Sequence, residues 1–183
     1  NTFKMRVNQK DGDDLVLTSA GNYYGHDVTQ AEAEQFYAER KPSGDPRPVM
    51  MGLNSRLVRG EFGFLEERVW RVGGLYGIEQ IVKHLEAAEP FAENAQQAGV
   101  IRRLIEYYRT GDLRTFDKYS IQWLNDTESL VDFVNGFTET YGDPLGMKAS
   151  WESIVNFKDI AATERAHQLA VNAQWFENNS PVD

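Results

Sequence analysis

The amino-acid sequence predicts an α+β fold, predominantly helical, with one β-hairpin or small sheet at about residues 49–72 packed against about five helices. Three observations predict it. Apolar and polar residues alternate through 49–72, a helical period takes over after Gly73-Gly74, and capping and proline signals punctuate the chain at helix-length spacings. The composition agrees with a packed core: of 183 residues, 41% are hydrophobic and 26% charged, and this length suits one domain or a domain with an appended element.

In chain order, residues 1–25 read as strand and turn, with Asp11-Gly12-Asp13 turning before the apolar Leu15-Val16-Leu17. Thr29-Gln30-Ala31-Glu32 is a capping box, in which hydroxyl and carboxylate satisfy each other's exposed amides, and a helix over about 30–40 follows it. Three of the six prolines fall between Lys41 and Pro48 and forbid regular structure there. Val49 to Val58 and Phe64 to Val72 are the two strand runs, joined across Gly60 and Gly63.

Ile78, Ile81, Val82 and Leu85 then follow the i, i+3, i+4, i+7 rule, and Val100, Leu104, Tyr107 and Tyr108 repeat it up to Gly111, placed as a helix C-cap. Phe116 to Leu124 reads as an aromatic-rich connector. Leu130, Phe133, Val134 and Phe137 form the stripe of a further helix begun near Asn125 to Thr127 and broken at Gly142-Asp143-Pro144-Leu145-Gly146. Ser150 is placed as the cap of a last helix running to about Trp175.

Charge and composition exclude several classes. With 28 acidic and 19 basic residues the formal net charge is −9, and the longest basic runs, Arg40-Lys41 and Arg102-Arg103, are too short to track phosphates, so nucleic acid is disfavoured. An acidic surface suits cationic partners, among them the N-terminal ammonium of a peptide. The absence of cysteine excludes disulfides and thiolate chemistry. No apolar run approaches the ~20 residues of a membrane-spanning helix, so a soluble chain is expected, with cytoplasm and periplasm not distinguished. The opening Asn1 and the closing Ser180-Pro181-Val182-Asp183 look like ends cut from something longer.

Catalytic signatures are sparse. His26, His84 and His167 stand on three different segments with no His-Glu-x-x-His pair, and Glu164-Arg165-Ala166-His167 lacks the second copy that a di-metal bundle needs. No nucleophile elbow or phosphate loop is present. The turn near residue 140 says more. On the expected helix Glu128, Asp132, Asn135 and Glu139 stand 4, 3 and 4 apart, sharing one polar face, and Tyr141 lies where the chain leaves helical geometry. Glu152, Asn156 and Asp159 repeat the pattern on the next helix. Two such faces meeting at one turn would form an acidic, hydrogen-bonding corner, although by spacing alone a solvated helix face is the commoner explanation. The hairpin edge is a second possible peptide-binding element.

Glu139-Thr140-Tyr141-Gly142-Asp143-Pro144-Leu145-Gly146, followed by Trp151-Glu152-Ser153-Ile154-Val155-Asn156, resembles the middle of the dipeptidyl peptidase III family, especially its bacterial members. Asn54-Ser55-Arg56-Leu57 and Trp123 strengthen the likeness, which runs through essentially the whole chain and is strongest over 119–183. The resemblance implies part of a two-lobed zinc exopeptidase that removes dipeptides from the N-termini of short peptides. Residues 1–159 would belong to the β-core and substrate lobe, and 160–183 would cross toward the zinc lobe.

The family's metal motif, His-Glu-x-x-x-His with a later glutamate, does not occur here, so zinc ligands are expected outside this chain, which alone would be inactive. The resemblance matches Glu139 to the glutamate that binds the substrate ammonium, Tyr141 to the tyrosine that hydrogen-bonds near the scissile peptide, and Glu152 to a second acid of the amine pocket. Helical spacing adds Asp132 and Asn135. The alternatives are a stand-alone helical binding module for peptide or protein and, more weakly, a glycoside hydrolase using Glu139 and Glu152 as its carboxylate pair.

Overall fold

A computed structural model describes residues 4–181. Asn1 and the closing Val182-Asp183, whose character suggested cut ends, lie outside the described residues. The fold class is α+β with helix predominating, as expected, but strand and helix are distributed differently along the chain.

In the N-terminal part, α1 (Leu15–Thr18) is a four-residue helix where strand character was expected, because Asp14 caps it by accepting from the amides of Val16 and Leu17. The capping box forms as read: Thr29 Oγ1 accepts from Glu32 N at 3.2 Å, Glu32 Oε2 accepts from Thr29 N at 3.0 Å, and α2 (Gln30–Arg40) follows. β1 (Ser55–Arg59) and β2 (Leu65–Val69) make the expected antiparallel hairpin, and residues 23–25 add to β1 through an isolated parallel bridge between Tyr24 and Leu57.

Helices α3 (Ile78–Ala88), α4 (Ala95–Thr110) and α5 (Leu113–Leu124) pack the main core, in which Leu104, Tyr107 and Tyr108 have no exposed surface. The aromatic connector is thus a helix. Asp112 caps it, and the 3- and 4-residue spacing of Phe116, Tyr119 and Trp123 turns their rings toward this core. Gly111 ends α4 at φ 72°, where a Cβ would stand 2.6 Å from Val69 Cγ1. Gly111→Ala is therefore expected to cost about 2–4 kcal/mol, from left-handed backbone strain plus overpacking, read as a fall in urea-unfolding midpoint.

The largest difference lies between 131 and 157. The expected helix with the stripe Leu130, Phe133, Val134 and Phe137 is instead β3 (Val131–Glu139), and the segment after Ser150 is β4 (Ser150–Phe157), paired antiparallel with it. Helix resumes only at α6 (Ile160–Val171), capped by Asp159, and α7 (Ala173–Asn178). β-Branched and aromatic residues favour a pleated surface, and Gly136 would weaken a helix by about 1 kcal/mol. In the strand Gly136 instead makes room for α5, since a Cβ there would lie 2.8 Å from Phe116 Cε2.

A second, smaller core gathers Val16, Tyr23, Tyr24, Val28, Phe36, Tyr37 and Leu57. The loop 140–149 joins the two cores. Its Leu145 and Met147 pack against the smaller one, and Ala149 is buried in the larger, where its amide donates to Leu53 O at 2.9 Å.

Candidate functional site

Strand period, rather than helix period, decides which polar side chains meet. Register places Asp132 opposite Asn156, Asn135 opposite Ser153, Gly136 opposite Glu152 and Phe137 opposite Trp151. A bulge then inserts Thr138, so that Glu139 pairs with Ser150. Paired residues share a face, and residues two apart on a strand share a face. Glu139, Ser150 and Glu152 therefore project from one face of the hairpin. In an unbulged strand Glu139 would join Phe137 on the opposite face; the extra residue re-aims it.

Ser150 Oγ lies 3.4 Å from the main-chain carbonyl oxygen of Glu139 and 3.3 Å from Glu152 Oε1. Both glutamates are half-buried, and Tyr141, beyond the bend, is 70% exposed. Glu139 and Glu152 thus form an acidic pair on this face of the hairpin.

Asp132 and Asn135 do not join this group, and the helical spacing that placed them with Glu139 is corrected here. Asp132 Oδ1 accepts from Trp123 Nε1 at 2.8 Å, near the far end of the strand. Asn135 lies on the opposite face, where Tyr108 Oη donates to its Oδ1 at 2.5 Å and Trp151 Nε1 donates to that same phenol at 2.7 Å. Those bonds dock the hairpin onto α4. Asp159, also placed on the polar corner, instead caps α6.

Sequence reasoning missed the residues that hold the bend. Asp143, 2% exposed, accepts from Tyr24 Oη at 3.0 Å, from Met147 N at 2.9 Å and from Lys148 N at 2.8 Å through Oδ2, and from Leu145 N at 3.2 Å through Oδ1. Burial and the neighbouring Asp143 carboxylate push the Tyr24 phenol far above its ordinary range. Gly142 lies against Tyr23, where a Cβ would meet Tyr23 Oη at 2.9 Å. The available signal was Asp-Pro-x-Gly itself, a turn in which an aspartate accepts amides from its own loop.

No group of three or more His, Asp or Glu side chains among the described residues is arranged to hold a metal ion. His26, His84 and His167 lie in the loop before α2, in α3 and in α6, so these residues do not fit a zinc centre. No helix among the described residues is long and apolar enough to cross a membrane.

The chain belongs to peptidase family M49, whose family model matches residues 75–182. It is 28% identical to dipeptidyl peptidase 3 of Mus musculus over 70% of this chain and 18% of that protein. To dipeptidyl peptidase 3 of Homo sapiens it is 27% identical over 82% of this chain and 21% of that protein. The chain thus spans about a fifth of the length of the curated relatives it matches. Its fold resembles dipeptidyl peptidase III from Caldithrix abyssi with a TM-score of 0.66 at 17% identity, over 95% of this chain and 33% of the other. The enzyme from Corallococcus sp. strain EGB gives 0.62 at 20% identity, over 89% and 29%.

Proposed function

We propose that this chain is the substrate-amine segment of a dipeptidyl peptidase III-like zinc hydrolase that releases dipeptides from the N-termini of short peptides. The observation that carries the reading is the bulge at Thr138, which brings Glu139 onto the face of Glu152 and Ser150. In this reading the two carboxylates receive the peptide's terminal ammonium. A carboxylate ~4 Å from an ammonium contributes about 1 kcal/mol in bulk water and about 4 kcal/mol at an effective dielectric of 20, so covering this open face would multiply the effect. The Tyr141 hydroxyl hydrogen-bonds the substrate backbone further along.

The hydrolytic chemistry belongs to a zinc ion held by residues outside this segment. What this segment adds is distance: a fixed amine makes cleavage fall two residues inward. Residues 1–159 are the substrate lobe, and 160–183 cross toward the zinc lobe. This division is supported by α6 and α7, which bury none of their residues while exposing Ile160, Leu169, Val171 and Trp175. Such surface suits contact with further protein. Membership of a peptidase family leaves the carbohydrate and non-enzymatic readings without a supporting observation.

The test uses the full-length protein carrying Glu139→Gln, with a dipeptidyl arylamide and its N-acetylated analogue as substrates. KM for the free amine should rise about 10- to 100-fold, a loss of about 1.4–2.8 kcal/mol, and the preference over the acetylated analogue should shrink accordingly. Unchanged kinetics on the free amine would remove Glu139 from the site.

A further inference from the structure

We propose that Lys148 is a positioning residue for the amine pocket, its buried ammonium tying the bend between β3 and β4 to the N-terminal hairpin and thereby setting where Glu139 and Glu152 stand. The inference rests on the reading of those two glutamates as amine ligands.

Lys148 has no exposed surface, which is rare for lysine because desolvating an ammonium costs several kcal/mol unless polar groups replace water. Here they do. Nζ donates to Tyr37 Oη at 2.6 Å, Ser55 Oγ at 3.1 Å and Ser55 O at 3.2 Å, with Gly52 O at 3.4 Å. The countercharge is relayed: Tyr37 Oη donates in turn to Glu67 Oε1 at 2.9 Å, and Ser55 Oγ donates to the same oxygen at 2.5 Å. The rings of Tyr37 and Tyr24 lie 4.9 and 5.5 Å from Nζ and close the cage.

The side chains that Nζ bonds, Tyr37 of α2 and Ser55 of β1, lie 111 and 93 residues away in sequence, so the contact fixes tertiary placement and not local shape. Burial pulls the Lys148 ammonium down to about 8, opposed by the fields of Glu67 and Asp143.

The lever to the site is short. Lys148 N also donates to Asp143, so both ends of the bend are held. Two residues beyond Lys148, Ser150 begins β4 and lies between Glu139 O and Glu152 Oε1. An apolar residue of similar length could fill the cage, at a cost in stability because the Glu67 carboxylate and the polar groups around Nζ keep their places without the ammonium. It would lack the directional bonds that select one placement of the bend.

The test compares Lys148→Met with the wild type in the full-length protein, again on a free-amine dipeptidyl arylamide and its N-acetylated analogue. Expected is a KM increase of about tenfold with kcat held within about threefold, and a reduced preference for the free amine. Leu104→Ala, a core truncation in α4 outside the Lys148 cage, controls for lost stability and should leave KM unchanged. If Lys148→Met fails to fold, Tyr37→Phe interrupts the relay with its ring retained, and KM should rise about threefold. Wild-type KM in whichever of the two variants folds would overturn the proposal. If Glu139→Gln raises KM while the folded Lys148 or Tyr37 variant does not, positioning falls and the amine reading stands. If Glu139→Gln changes nothing, both fall.

Discussion

Asp143→Ala is expected to destabilise the chain by about 3–5 kcal/mol, because three donors, two of them buried and one partly buried, lose their acceptor together and each orphaned group costs about 1–3 kcal/mol. The donors are the Tyr24 phenol and the amides of Met147 and Lys148, all converging on Oδ2. The same carboxylate contributes the field that favours the Lys148 ammonium, so its removal also leaves that charge less compensated. Asp143→Asn keeps an acceptor of the same shape but not the charge, and should cost roughly half as much. Urea unfolding followed by far-UV circular dichroism measures both. A cost below about 1 kcal/mol for the alanine variant would show that the bend does not depend on this hub.

The second large effect is alkaline. Burial raises the phenols of Tyr24, Tyr37, Tyr107, Tyr108 and Tyr119 well above their ordinary value of 10.0. In the unfolded chain each releases its proton near 10, whereas in the folded chain it holds on, so above that pH the folded state binds more protons. Stability from these groups is fully present below about 10 and is lost as pH rises past it.

Each group contributes a slope of up to about 1.4 kcal/mol per pH unit, and five together approach about 7 kcal/mol per unit. Lys148 acts in the opposite sense. Its folded value of about 8 lies below the ordinary 10.5, so its contribution improves as pH climbs between the two, with one proton against five. Against a typical total stability of about 5–15 kcal/mol, cooperative unfolding is expected between roughly pH 10 and 12. Tyrosinate absorbance near ~295 nm should rise in the same transition as the circular dichroism falls. Gradual ionisation with the fold intact would sink the argument.

How far the candidate site was legible follows from particular residues. Glu139, Tyr141 and Glu152 stand out by resemblance, and the bulged hairpin gathers Glu139 and Glu152 on one face. The helical face that spacing predicts for them is absent, and strand pairing brings them together instead. Leu130, Phe133, Val134 and Phe137 satisfy i, i+3, i+4, i+7, yet the same stretch carries Val131, Val134 and Thr138 with Gly136 in its middle. A short apolar run is compatible with both periods, and a partner strand settles the choice. Helical spacing drew in Asp132 and Asn135, which the strand sends to Trp123 and Tyr108.

The sequence by itself determined the features whose free energy is local. The capping box at Thr29, the disruption by proline between 41 and 48, the turn at Gly63, the helical stripe from Ile78 to Leu85 and the glycine ending α4 each depend on residues within a turn or two of one another. Only the tertiary structure decided the rest. A strand needs a partner to satisfy its amides, a bulge is defined only against the strand opposite, and a buried lysine is tolerable only where distant segments supply its acceptors. β3 found β4, Thr138 slipped out of register, and Lys148 met Tyr37 and Ser55 across 111 and 93 residues of chain, distances over which no sequence period can carry information.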